Sequence, residues 1–260
     1  MNIIVCIKQV PNTNEVKLDP VTGTLIREGI PSIMNPDDKA GLEAALRIKD
    51  KNGAHVTVIT MGPPQADLVL RESLAMGADE SILVTDRAFG GADTWATSST
   101  LASAIKKLPC DLIITGRQAI DGDTAQVGPQ IAEHLKMVNI SYAEDIQVEG
   151  DSVIVKRQYE DRYHMIKAKM PCLITTLAEL GEPRYMTPGG IFDAYREKEV
   201  KQFVRADLDV DDGNIGLKGS PTRVAKSFAK QLKGKGTVVN LDTAESVDFL
   251  VEKLKEKFVL

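Results

Sequence analysis

The residues whose types and spacing could do chemistry lie in one stretch of the chain: Gly116-Arg117-Gln118-Ala119-Ile120-Asp121-Gly122-Asp123-Thr124-Ala125-Gln126-Val127-Gly128-Pro129-Gln130. It follows Cys110–Thr115, a short apolar run bounded by Pro109 and Gly116 that reads as a buried strand. It precedes Ile131–Leu135, which reads as helix. A loop that leaves a strand and opens a helix sits where open α/β sheets take nucleotides, because free backbone N–H groups at a helix N-terminus favour anions. Asp121 and Asp123 would repel a phosphate. They suit ribose hydroxyls or amide donors, which leaves phosphates to the backbone. The same residues also fit a capped helix after a strand, with acidic side chains solvating a turn. Two helix starts are open. Asp123 as N-cap with Gln126 at N3 makes a capping box but puts Pro129 inside the helix. Gly128 as cap with Pro129 at N1 is preferred.

A second stretch, Asp86-Arg87-Ala88-Phe89-Gly90-Gly91-Ala92-Asp93-Thr94-Trp95-Ala96-Thr97-Ser98, carries a glycine pair that permits positive φ and close backbone approach. Asp93 reads as the N-cap of a helix running to Lys107, and Thr94 and Thr97 fall on one face of its first turn. That face would point to the Gly116 loop if consecutive strands are neighbours. The remaining reactive residues are scattered. Cys6, Cys110 and Cys172 lie far apart in apolar runs and read as buried thiols of a reducing cytoplasm. His55, His134 and His164 are dispersed, so no metal spacing and no nucleophile–base arrangement is legible. Hard chemistry must come from a bound cofactor. Lys8, Arg71 and Asp79 read as a solvated face, and Trp95 as packing.

The elements that must position these stretches form a βα rhythm. Ile3–Ile7, Val56–Thr60, Ser81–Val84 and Cys110–Thr115 read as strands, each leading into a helix, which argues a parallel sheet with helices on both faces. Asn35-Pro36-Asp37-Asp38 opens the first helix, with Asn35 either capping it or facing a ligand at the same sheet edge as Gly116. Val16–Leu18 and Thr24–Ile26 read as a small inserted hairpin. After about residue 139 the pattern becomes extended. Ile146–Val148 and Val153–Val155 flank a hairpin turn, and Tyr163–Lys169 and Cys172–Thr176 are expected to pair antiparallel beside it. Ile191–Tyr195 starts a short helix. The fold class expected is a doubly wound, mostly parallel α/β sheet with antiparallel strands added in the second half and an extended C-terminal arm. The domains expected are a nucleotide-binding domain over 1–200 and an arm over 201–260. That arm ends in an amphipathic helix capped by Asp242, which suggests docking on a partner chain. A hydrophobic fraction of 43% suits a globular core, while a net charge of -5 leaves no nucleic-acid footprint. No membrane span and no signal peptide are expected.

The chain resembles the β subunit of electron-transfer flavoprotein. The resemblance covers nearly the whole length and rests on Val5-Cys6-Ile7-Lys8-Gln9-Val10, Asn35-Pro36, Ala75-Met76-Gly77-Ala78-Asp79, the Gly116–Asp123 run and Glu182-Pro183-Arg184-Tyr185. It implies a heterodimer with an α subunit that carries a redox-active FAD. It also implies an adenine nucleotide on the β subunit: AMP in common versions, or a second FAD in an electron-bifurcating branch that the Asp86–Thr94 turn resembles. In that branch NADH delivers hydride to the β site. One electron goes to ferredoxin or flavodoxin, and the other passes through the α FAD to an acyl-CoA dehydrogenase. The alternative is a non-bifurcating β subunit with structural AMP, working between an acyl-CoA dehydrogenase and a quinone-linked acceptor. By position the resemblance implies that Cys6, Asn35, Asp37, Met61, Gln118, Asp121, Gly122, Asp123, Thr124, Ala125, Gln126, Val127 and Gly128 line the adenosine and phosphates. Thr94 and Thr97 would approach the flavin, and Ala88, Phe89, Gly90, Gly91 and Ala92 would meet the nicotinamide dinucleotide. One departure stands at Pro188-Gly189-Gly190, where family members that serve acyl-CoA dehydrogenases carry a leucine anchor.

Overall fold

The computed structural model describes residues 1–12, 31–222, 225, 234, 236 and 238–260. It divides into two compact units, Met1–Ala225 and Lys226–Leu260. The hairpin expected at Val16–Leu18 and Thr24–Ile26 lies outside the described residues.

In the first unit the chain runs β1 (Asn2–Cys6), β2 (Gln9–Pro11), β3 (Ser32–Met34), α1 (Pro36–Asn52), β4 (His55–Met61), α2 (Asp67–Met76), β5 (Glu80–Val84), α3 (Thr94–Ile105), β6 (Leu112–Gly116) and α4 (Val127–Leu135). It continues through β7 (Val138–Glu149), β8 (Ser152–Gln158), β9 (Tyr163–Lys169), β10 (Cys172–Thr176), α5 (Pro188–Arg196) and β11 (Val200–Phe203). A nine-stranded sheet has the order β11-β5-β4-β1-β6-β10-β7-β8-β9. Every neighbouring pair from β11 to β7 is parallel, and β8 and β9 add antiparallel at one side. Alternation along β1 shows why helices cover both faces. Ile3 and Val5 pack with Leu42 and Leu46 of α1 and with Val69 and Leu70 of α2. Ile4 and Cys6 pack with Leu101 and Ile105 of α3 and Ile131 of α4. A strand buried on both faces needs apolar residues at consecutive positions, which is what β1 has.

Two expectations change. Cys172–Thr176 does not pair antiparallel: β10 lies between β6 and β7 and is parallel to both. Its five residues are all buried, and such a run belongs in a covered parallel strand, not in a half-solvated antiparallel one. The stretch after Glu197 is not a sparse arm from its start. β11 pairs with β5 and closes that sheet edge, Leu208 and Ile215 enter the core on the α3 face, and the first unit runs to Ala225, past the expected boundary at 200. In the second unit, α6 (Thr243–Glu256) begins where the capping pattern put it, with Asp242 accepting from the Glu245 N–H at 2.9 Å. Its apolar residues Val247, Leu250 and Leu254 are exposed. Among the described residues no helix is long and apolar enough to cross a membrane.

Helix α1 lies directly against the sheet at Gly41. A Cβ there would sit 2.8 Å from Thr176 Oγ1 and 3.0 Å from Ile114 Cγ2. Glycine otherwise costs a helix interior about 1 kcal/mol relative to alanine, so its use here marks close contact with the side chains of the strands beneath. Gly41→Ala is expected to lower stability by about 1–3 kcal/mol in urea denaturation, against that helix preference. A variant as stable as the parent would disprove the close approach.

Candidate functional site

The sheet order turns around at β1: β4 lies on one side, and the chain later returns to place β6 on the other. The carboxyl ends of these strands, at Cys6, Met61 and Gly116, share one edge. A crevice opens at such a turning point, because the two connections leave on opposite faces of the sheet.

The start of α1 is wedged into that crevice. Asn35 stands at the cap position, with Pro36 at N1, yet its side chain makes no capping bond. Its amide donates to Gln118 O at 2.8 Å, and its carbonyl accepts from Ile120 N–H at 3.1 Å, with the residue wholly buried. The capping role does not hold: Asn35 clamps the loop after β6. Asp38 spans the strand ends, accepting from Lys8 N–H at 2.7 Å and from Gly116 N–H at 2.9 Å. A Cβ on Gly116 would lie 2.1 Å from Asp38 Oδ1, so only glycine admits this bridge. Lys8 is not merely solvated, since its ammonium pairs with Asp121 at 2.7 Å. Asp123 accepts from Gln118 Nε2 at 2.9 Å. Both loop carboxylates therefore have cationic or amide partners, which reduces the repulsion expected toward an anion. Arg71 and Asp79 are also engaged, with Asp67 and Lys49 respectively.

Helix α4 starts at Val127 with Gln126 at the cap position, which differs from both expected starts. Pro129 falls in the first turn, where its missing N–H would have had no helical partner. Among the described residues, the backbone N–H groups of Thr124, Ala125, Gln126, Val127 and Gly128 have no backbone or side-chain acceptor. Asp123 and Ala125 adopt φ of 49° and 52°, strained for non-glycine residues. Left-handed residues alternating with others turn successive N–H groups toward one concavity that suits an anion. Gly122 is open, and Gly128 packs so tightly that a Cβ would lie 2.5 Å from Thr115 Oγ1.

The second stretch reaches this loop. Asp93 caps α3 through Ala96 N–H at 3.0 Å, and Thr94 Oγ1 donates to Gln126 Oε1 at 2.8 Å. Thr97 is half-buried on the same first turn. Phe89 is buried in the core, so its ring does not face the turn's surface. Gly90 and Gly91 are exposed, but the close neighbour they admit is the chain itself: Leu217 N–H donates to Gly90 O at 3.0 Å. Asp37 accepts from Ala178 N–H, and its other oxygen lies 3.5 Å from Arg117 Nε. Burial pushes Asp37 above the usual carboxylate range, with Arg117 pulling the other way. Burial also raises the Cys6 thiol strongly, so it stays protonated and inert. Asp38 and Lys8 contribute here and were missed as site residues. Only the doubled acid after Pro36 hinted at Asp38, and Lys8 looks like an ordinary surface residue.

Comparison with known proteins adds an independent finding. Residues 22–208 match the family described as "Electron transfer flavoprotein domain". The chain is 58% identical over 257 residues to "Electron transfer flavoprotein subunit beta" of Clostridium acetobutylicum, covering 99% of each. It is 57% identical over 263 residues to "Caffeyl-CoA reductase-Etf complex subunit CarD" of Acetobacterium woodii, covering 100% of each. It is 47% identical over 268 residues to "Acryloyl-CoA reductase electron transfer subunit gamma" of Anaerotignum propionicum, again covering 100% of each.

Burial raises the pKa of Asp38 to about 7 against the opposing pull of the Asn35 side chain and of the Lys8 and Gly116 N–H groups. The folded chain then keeps a proton that the unfolded chain, near 3.9, has lost. Its contribution to stability falls as pH rises from about 4 to 7 and is flat above. The difference in stability between the parent and Asp38→Asn is expected to change across that window, measured by denaturation at several pH values. A constant difference would show that Asp38 is ionised throughout.

Proposed function

The chain belongs to the electron transfer flavoprotein family as a β subunit, and from that premise we propose that it binds FAD at the C-terminal sheet edge, paired with an α subunit, and oxidises NADH by electron bifurcation. The observation that carries this reading is the Thr94–Gln126 hydrogen bond. It ties the turn after β5 to the loop after β6, so that one continuous surface can serve a dinucleotide. The chemistry present suits the group. The free N–H groups from Thr124 to Gly128 would receive phosphate oxygens. Cys6, Asp37, Met61, Gln118, Asp121, Gly122 and Asp123 would border the adenosine. Asn35, whose carboxamide bonds the loop through both its nitrogen and its oxygen, would act by holding the loop's shape. Thr94 and Thr97 would meet the flavin end, and the Ala88–Ala92 turn would meet the nicotinamide dinucleotide, through backbone and Ala92, not through Phe89.

When bound, the flavin would supply hydride acceptance from NADH and separate release of the electrons, one to ferredoxin or flavodoxin and one through the α-subunit FAD to an acyl-CoA dehydrogenase. The protein's part is to orient the ring and exclude water, with no side chain acting as acid or base. The names of the Acetobacterium and Anaerotignum relatives, each tied to a CoA-ester reductase, support a partner of that class. The Glu182–Tyr185 segment could serve it: Arg184 is held by Glu43 at 2.9 Å, and Tyr185 is 94% exposed.

A second reading, a non-bifurcating subunit with structural AMP, is favoured by one observation. The Gly90–Gly91 turn is already engaged by Leu217, and a mononucleotide would need only the Gln118–Gly128 loop. Nucleotides extracted from the co-purified αβ pair decide between them. Two FAD per heterodimer, with both flavins reduced on NADH titration, are expected. One FAD and one AMP would establish the second reading in place of the first.

A further inference from the structure

Residues 214–222 form no regular helix or strand beyond a short turn at Asn214, yet Ile215 and Ser220 are buried, and Ile215 shares a core cluster with Phe89. This segment lies against the Ala88–Ala92 turn and the first turn of α3. Leu217 N–H donates to Gly90 O at 3.0 Å, and Trp95 Nε1 donates to Asn214 Oδ1 at 3.3 Å. A Cβ on Gly216 would lie 2.1 Å from Ala88 O, so only glycine permits this approach.

Asp93 holds the far end of the segment. One of its carboxylate oxygens caps α3 through Ala96 N–H at 3.0 Å. The other accepts from Thr222 N–H at 2.9 Å and from the Thr222 hydroxyl at 2.6 Å. Asp93 N–H donates to Ser220 Oγ at 2.8 Å, and Ser220 Oγ donates to Gly216 O at 2.8 Å. Burial opposes ionisation of Asp93, but the Thr222 hydroxyl and the N–H groups of Ala96, Thr222 and Trp95 hold its carboxyl below the usual carboxylate range. These bonds leave the turn itself open. Gly90 and Gly91 are exposed, and the N–H groups of Gly91 and Ala92 have no acceptor among the described residues. A glycine pair loses more freedom on ordering than any other pair, and a ligand that had to order it would lose affinity. Here the segment supplies that order in advance.

We propose that Asp93 is a positioning residue that fixes residues 214–222 and so preorganises the Gly90–Ala92 turn to bind a nicotinamide dinucleotide. This rests on the NADH-binding reading above. The open groups of the turn are N–H donors, so the ligand atoms they meet are acceptors: phosphate oxygens or the nicotinamide carbonyl. Leu217 takes only the Gly90 carbonyl, which a ligand acceptor has no use for, so the segment supports the turn without occupying its donors. The Gln118–Gly128 loop is held by Asn35 and Lys8, not by this segment. A nucleotide seated on that loop alone is therefore indifferent to the Asp93–Thr222 contact, and the dinucleotide at the turn is not.

The test uses the full chain co-purified with its α subunit. Asp93→Asn keeps a capping oxygen for α3 but turns an NH2 toward the Thr222 N–H. The double variant Ser220→Ala/Thr222→Val removes side-chain bonds from the segment and leaves the cap untouched. Amide hydrogen exchange is expected to quicken in both variants over residues 214–222 and over the Ala88–Ala92 turn, with α3 unchanged. Calorimetric titration with NAD+, which binds without reducing the flavins, is expected to show affinity about fivefold weaker in both. AMP titrated into the pair with its β site emptied is expected to bind each variant as it binds the parent, to within about twofold, which general destabilisation would not produce. Unchanged exchange in the turn, unchanged NAD+ affinity, equal losses for NAD+ and AMP, or an effect confined to Asp93→Asn overturns the proposal. A parent that binds no NAD+ ends the NADH reading and this proposal with it. A parent that binds NAD+ as tightly as both variants do ends this proposal alone.

Discussion

Two buried polar side chains at the mouth of α1 set the arrangement at the sheet edge. Asp38 accepts the N–H of Lys8, just beyond β1, and that of Gly116 at the end of β6, and Asn35 grips the loop that leaves β6. A strand end has backbone donors that must be satisfied once it is covered. Here a helix start supplies the acceptors, so the β1–β6 crevice and the direction of the loop are fixed together. The cost is a carboxylate deep in the protein, which burial drives toward its protonated form. Gly41 follows from the same geometry, because α1 can reach the crevice only by lying against β6 and β10.

The loop after β6 is shaped for its surroundings more than for its own stability. Asp123 and Ala125 carry left-handed strain, and successive N–H groups lack acceptors among the described residues. Such features persist where neighbouring contacts over-determine the backbone. The Lys8–Asp121 pair, the Gln118–Asp123 bond and the Asn35 clamp provide that restraint. The pair at Lys8 is half-exposed on the lysine side, so its value lies in placing Asp121 more than in stability. On the other flank, polar side chains join the first turns of α3 and α4 beside their shared apolar packing. These contacts give the helix starts a defined orientation relative to each other.

Much of this was legible in the amino-acid sequence. Short apolar runs alternating with helical segments announce a parallel sheet, and Asp93 and Asp242 mark helix starts by the short range of a capping bond. These are local matters, decided within a few residues. The Gly116–Gly128 loop stood out for the same reason: its composition suits no regular element. The family resemblance needed only motifs.

What the sequence could not decide by itself were the partners of side chains far apart along the chain. Asn35 looked like a helix cap, because a cap needs only its own helix, whereas its actual contacts lie 83 and 85 positions away. Lys8 looked solvated for want of a visible Asp121, and Cys172–Thr176 looked like an added antiparallel strand until it proved to be inserted between β6 and β7. The stretch after Glu197 looked too polar to fold back, yet an unpaired edge of β5 offers backbone hydrogen bonds that composition does not reveal. Periodicity and capping act over one turn or one strand and are written in the sequence. Strand order, crevice and long-range hydrogen bonds depend on which surfaces meet, and only the tertiary structure chooses that.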